Sequence, residues 1–136
     1  MGAYKDAAQL YDVLGTLFAT LRDDPEIGPK VQASGLVIRF RYTDPDSEIT
    51  IDCTKSPLEI IFGPNDRKPT VDMSMTADVA HQFWLGKVNL VAALTRGQMV
   101  AKGPIQSIMK LLPIIKPAYA LYPKILKEKG LEAMIT

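Results

Sequence analysis

Hydrophobic residues recur along this chain with two periods, and the switches between them divide it into elements. From Ala3 to Arg22, Ala3, Ala7, Leu10, Tyr11, Leu14, Leu17, Phe18 and Leu21 recur at helical spacing and predict one amphipathic helix. Asp23-Asp24-Pro25 ends it, and Gly28-Pro29 marks a connector with room for a short helical turn. The period then falls to two. Leu36, Ile38, Phe40 and Tyr42 share a face opposite Arg39 and Arg41. Ile49, Ile51 and Cys53 alternate with Glu48, Thr50, Asp52 and Thr54, and Leu58, Ile60 and Phe62 with Glu59 and Ile61. Val71, Met73 and Met75 alternate with Thr70, Asp72, Ser74 and Thr76. Period-two patterning repeated over Leu36–Thr76 with short turns predicts an antiparallel meander with one buried and one wet face.

Helical spacing returns at Thr76, which can cap a helix carrying Val79, Ala80, Phe83 and Trp84 on one side and stopping at Gly86. Asn89 can cap a second helix with Leu90, Ala93 and Leu94, ending at Gly97. These two helices, Ala77–Arg96, form an apolar lid, and Gln98–Lys102 runs on as a fifth strand. The last segment, Pro104–Lys129, is the most apolar of all, but its lysines interrupt every run before the roughly 18 residues that suggest a membrane span. Pro113, Pro117 and Pro123 predict a short helix followed by a looser tail, fraying from Gly130.

At 136 residues the chain has the usual size of one domain, and one domain is expected over residues 1–136. A formal net charge of +1 gives no global electrostatic case for nucleic acid. A single cysteine and a single histidine argue against a disulfide framework and a structural zinc site. The N-terminus lacks the basic and apolar regions of a secretory signal, so a cytoplasmic protein is expected.

Catalytic combinations are missing from the pattern. His81 stands beside Gln82 on what reads as the polar side of the lid, where a histidine is ordinarily solvated. Cys53 alternates inward and reads as an inert buried thiol. Asp52, Glu59 and Asp72 fall on the wet sheet face. There is no Gly-rich phosphate loop, no nucleophile signature and no metal-ligand spacing, so neither an enzyme nor a cofactor is expected. What remains is an apolar excess. Ile105–Leu126 carries more greasy surface than covering one sheet face requires. It can complete the core, bury itself in a dimer contact, or leave a tunnel for an apolar ligand. Met73, Met75, Met99 and Met109, on faces read as inward, suit an adaptable apolar site and equally an ordinary core.

The block Gly86-Lys87-Val88-Asn89, then Ala93, Gly97, Met99 and Lys102-Gly103, resembles the core signature of the sterol carrier protein 2 domain family. Element order resembles that family over essentially the whole chain, with two departures. Leu90 stands where many members have proline, and the tail is longer and richer in proline. The resemblance implies an α+β fold: a five-stranded, mainly antiparallel sheet with helices on one face and an apolar tunnel between. It implies non-catalytic binding and transfer or presentation of a fatty acid, acyl-CoA, sterol or phospholipid. The expected walls are Phe40, Ile51, Ile60, Met73 and Met75 from strands and Phe83, Trp84 and Leu94 from the lid. Met99, Ile105, Ile108, Leu112, Ile115 and Tyr119 would complete them. Expected partners are the lipid itself, a membrane surface met transiently through the lysine-rich apolar C-terminal segment, and a lipid-metabolising enzyme. The rival expectation is a dimerising or enzyme-docking module whose C-terminal segment is an interface.

Overall fold

The computed structural model describes residues 3–135. Two helices come first, α1 (Ala7–Asp23) and α2 (Ile27–Ala33), followed by strands β1 (Val37–Thr43), β2 (Ser47–Asp52), β3 (Glu59–Phe62) and β4 (Val71–Thr76). Helices α3 (Ala77–Trp84) and α4 (Leu90–Thr95), strand β5 (Met99–Lys102), helices α5 (Ile105–Met109) and α6 (Leu112–Glu128) and a 3₁₀ turn (Glu132–Ile135) complete the described chain. No helix among the described residues is long and apolar enough to cross a membrane.

The five strands form one sheet in the order β3-β2-β1-β4-β5. The predicted meander holds only for β1 to β3. After β3 the chain crosses back, and β4 lies parallel to β1, with Phe40 opposite Met73 and Tyr42 opposite Met75. Alternation in the sequence fixes which residues share a face but leaves the neighbour of each strand open. One continuous inward row therefore crosses the sheet as Phe62, Ile49, Phe40, Met73 and Ala101.

Helix α1 begins at Ala7, where Asp6 accepts the Gln9 amide at 2.9 Å, so Ala3 and Tyr4 precede the helix. Gly15 lets α1 approach the sheet closely: a methyl group there would stand 2.6 Å from the Phe62 ring. Thr76 and Asn89 cap α3 and α4 as their positions predict, each accepting an amide at 3.1 Å.

The outer face is drier than its alternation suggests. Thr50 and Asp52 are buried because the chain between β3 and β4 folds over them. Asn65 donates to Thr50 at 3.0 Å and Arg67 to Asp52 at 2.5 Å. Burial would raise the Asp52 pKa, but hydrogen bonds from the Thr54 hydroxyl and amide and from Arg67 outweigh it, and the net shift is downward.

The C-terminal segment departs most from expectation. Instead of a loose tail, α6 runs through Pro117 and Pro123. Each interior proline removes a backbone donor and costs about 3 kcal/mol in a helix. Ala118, Tyr122, Ile125 and Leu126 form a buried stripe along α6, and that packing against the body holds the helix together. Where fraying was expected after Gly130, Glu132–Ile135 make the 3₁₀ turn whose Met134 carbonyl bonds His81.

Gly103 follows β5 with φ +139, and a Cβ there would lie 2.4 Å from the Thr70 carbonyl oxygen. Backbone, not a flexible side chain, is in the way. Gly103→Ala should lower unfolding stability by about 2 to 4 kcal/mol, read as a fall in the urea midpoint at unchanged m-value.

Candidate functional site

The inward sheet face and the helices above it enclose an apolar cavity of about 60 Å³. Ile38, Phe40 and Tyr42 of β1 meet Met73 and Met75 of β4 on its floor, flanked by Ile51 and Met99. Phe83, Trp84 and Leu90 come from the lid. Phe18, Leu21 and Val31 reach in from α1 and α2, and Leu111, Ile114 and Ile115 from the start of the C-terminal helical segment. The aromatic rings interlock: Phe18 stacks on Phe40 at 5.4 Å and meets Trp84 edge-on at 5.8 Å.

Of the expected walls, Phe40, Ile51, Met73, Met75, Phe83, Trp84, Met99 and Ile115 stand together around this cavity. Leu94, Ile105, Ile108 and Leu112 do not. They line a separate open groove between α4, β5 and α5, which Met99 also borders. Ile60 and Tyr119 line neither; Tyr119 packs edge-on against Phe83 at 5.9 Å. The expectation missed Phe18 and Leu21 although both lie on the apolar stripe of α1, because that stripe read as sheet cover alone. It also missed Arg22, the one charged side chain in the lining. Arg22, Ile114 and Ile115 are the half-buried members of the lining, so the cavity comes nearest to solvent between the end of α1 and the start of α6. The Arg22 guanidinium is held there by Asp23 at 2.9 Å.

A space of 60 Å³ is far below the roughly 300–1,000 Å³ of pockets that hold drug-sized ligands. The structure shows a small cavity where a tunnel was expected. A long acyl chain fits only if the flanking helices move outward from the sheet.

Two polar features adjoin this apolar interior. The Tyr42 hydroxyl is buried and finds no hydrogen-bond partner among the described residues, and burial raises its pKa well above the usual phenol value. His81 is the other. It is 3 % exposed, not solvated. Its Nε2–H donates to the Met134 carbonyl at 2.6 Å, since a carbonyl can only accept. Nδ1 is then the acceptor for the Tyr122 hydroxyl at 2.7 Å, and the Tyr122 oxygen accepts from Tyr4 at 2.6 Å. This chain ties the residues before α1 to α3, α6 and the C-terminal turn. Cys53 is buried, and burial raises its thiol pKa, which suits an inert side chain. No group of three or more His, Cys, Asp or Glu among the described residues could hold a metal ion.

The sequence matches the SCP-2 sterol transfer family over residues 15–116. No curated protein matches it significantly. Among solved structures, it resembles the sterol carrier protein domain 2 of Helicoverpa armigera at 16% identity and TM-score 0.70, covering 82% of this chain and 88% of that one. Sterol carrier protein 2 from Yarrowia lipolytica in its apo form is similar at 16% identity and TM-score 0.63, over 83% of this chain and 91% of that one. Palmitated SCP2L2 from Aedes aegypti is similar at 16% identity and TM-score 0.53, over 78% of this chain and 89% of that one. At these identities the likeness establishes the fold.

Both polar features have measurable consequences. Tyr42→Phe removes a buried hydroxyl that has no partner and should raise stability by about 1 kcal/mol in ligand-free protein, seen as a higher melting temperature. Burial lowers the His81 pKa below its ordinary value near 6.5. Unfolding then takes up a proton between the folded and unfolded values. The stability due to neutral His81 is complete above about pH 6.5 and is lost as pH falls from there toward the folded pKa, with a slope of at most about 1.4 kcal/mol per pH unit. Urea midpoints measured from pH 7.5 down to 5.5 should fall more steeply for the wild type than for His81→Gln.

Proposed function

The chain belongs to the SCP-2 sterol transfer family, and we propose that it binds a single hydrophobic ligand, an acyl chain or a sterol, between the sheet and its helices. The function is non-catalytic: the protein carries the ligand between membranes or presents it to an enzyme of lipid metabolism. The observation that carries this reading is the lining of the cavity, where Arg22 at the rim is the only charged side chain. The palmitated state of the Aedes aegypti relative supports an acyl chain as one cargo. The unpartnered Tyr42 hydroxyl offers a hydrogen bond to an oxygen of such a ligand.

Binding strength follows from the areas involved. Burying the methylenes of a sixteen-carbon chain has a ceiling of about 12 kcal/mol at 0.8 kcal/mol each. At about 0.3 kcal/mol per heavy atom, a usual efficiency for ligands of this size, the return is near 5 kcal/mol. A dissociation constant around micromolar lies between these limits and suits a carrier that must release its cargo.

Native mass spectrometry of freshly purified protein, compared with protein after organic extraction, should show the added mass of one lipid. A fluorescent fatty-acid probe should bind the extracted protein with roughly micromolar affinity. Ile115→Asp, at the half-buried rim, should weaken that binding at least about tenfold while the protein stays folded, since a carboxylate at the entrance opposes an apolar ligand. Unchanged affinity in folded Ile115→Asp and Met73→Glu, or no probe binding by the wild type, would remove this reading.

A further inference from the structure

Between Asp78 and Glu128 the chain carries seven basic side chains and no acidic one, so the net charge of +1 conceals a sharp separation. Among the described residues none of these seven joins an ion pair, whereas Arg22, Arg39, Arg41, Arg67 and Lys129 all do. This segment contains the open groove between α4, the edge strand β5 and α5, about 520 Å³ in volume. Val91, Val100, Ile105 and Met109 all border it and are at least half exposed, Ile105 at 70 %. Arg96, Lys102 and Lys110 are exposed and each directly follows a lining residue in sequence: Thr95, Ala101 and Met109.

Exposed aliphatic side chains on a stretch whose exposed cations have no ion-pair partner among the described residues are complementary to one kind of surface. The aliphatic groups enter the boundary between headgroups and acyl chains, and the cations meet lipid phosphates and carboxylates. We propose that the face formed by α4, β5 and α5 docks this protein on an anionic lipid bilayer. A second copy of the chain is a poor occupant, because a symmetric contact here would bring like charges together.

The position of the groove deepens the carrier reading, on which this part of the inference rests. Leu90 and Met99 line both the groove and the internal cavity. The docking face and the ligand site are thus separated by a wall two side chains share. A ligand crossing that wall would leave the cavity directly into the acyl layer without meeting water.

The experiment is co-sedimentation of the full chain with phosphatidylcholine vesicles, with and without phosphatidylserine. Binding is expected only with phosphatidylserine and should be lost at high salt. Replacing Arg96, Lys102 and Lys110 together by glutamine should weaken partitioning about a hundredfold, at about fivefold per charge. Removing equal charge elsewhere, with Lys5→Gln, Lys30→Gln and Lys68→Gln, should change it little. Ile105→Ser with Met109→Ser should also weaken binding, with the cations in place. Equal binding to both vesicle types, or equal losses from the two triple variants, would overturn the docking face. So would self-association in sedimentation velocity that Ile105→Ser abolishes, which would assign the groove to a second copy. Fluorescent fatty-acid binding without vesicles should be the same in the Arg96, Lys102 and Lys110 variant as in the wild type. Failure of the wild type to bind that probe while it still binds anionic vesicles would remove the carrier reading and leave the docking surface standing.

Discussion

The parallel pairing of β1 with β4 is the constraint on which the rest of this structure depends. It places β1 in the middle of the sheet and brings Met73 and Met75 beside Phe40 and Tyr42. Had β4 followed β3 in a simple meander, the methionines would lie at one edge, next to Ile60 and Phe62, with no common floor. The crossover leaves the end of β4 to lead directly into α3 through the Thr76 cap, which sets Phe83 and Trp84 above that floor. One pairing thus positions both the bottom and the top of the cavity.

Legibility in the sequence follows the range of the interaction involved. Features set by neighbouring residues could be read: the caps at Thr76 and Asn89, the stops at Gly86 and Gly97, and the period-two faces of β1, β4 and β5. So could the family, because its signature occupies one short contiguous block. Features set at long range could not. The burial of His81 depends on Tyr122 and Met134, and that of Asp52 on Arg67 in the chain that folds over it. A polar residue is read as exposed unless its partner is known, and neither partner is adjacent in sequence. The prolines of α6 misled for the same reason, since local propensity argues for a break and only tertiary burial of Tyr122 and Leu126 outweighs it.

The candidate site was legible to a similar depth. Eight of the expected walls meet around the cavity because they lie on faces that local periodicity identifies. Leu94, Ile105, Ile108 and Leu112 were assigned to the same interior on hydrophobicity alone, and the structure turns them to a groove at the edge of the sheet. Apolar character says that a side chain avoids water; it does not say whether a core, a ligand or a membrane excludes that water. The lysine-rich character of the C-terminal segment was legible in the sequence, although a total of +1 gives no sign of it.

These two apolar surfaces impose opposite demands, and the short elements between them show how the fold meets both. The cavity needs walls tight enough to exclude water, and Leu90 and Met99 are almost wholly buried there. Passage of a large ligand needs some wall that yields. Helices α4 and α5, of six and five residues, are far below the length at which a helix holds its own shape in water. Helix α5 has no side-chain cap, and the buried residues of the two helices are Leu90 and Ala93 in α4 and Ile108 in α5. Their local stability is therefore tertiary in origin, and a surface able to receive Val91, Ile105 and Met109 can replace water around the exposed part of the same elements. The deep aromatic contacts of Phe18 with Phe40 and Trp84 lie on longer elements and need not move with them. The longer elements of the fold thus lie around α1 and the centre of the sheet, and its least self-sufficient helices stand where the cavity and the groove share a wall.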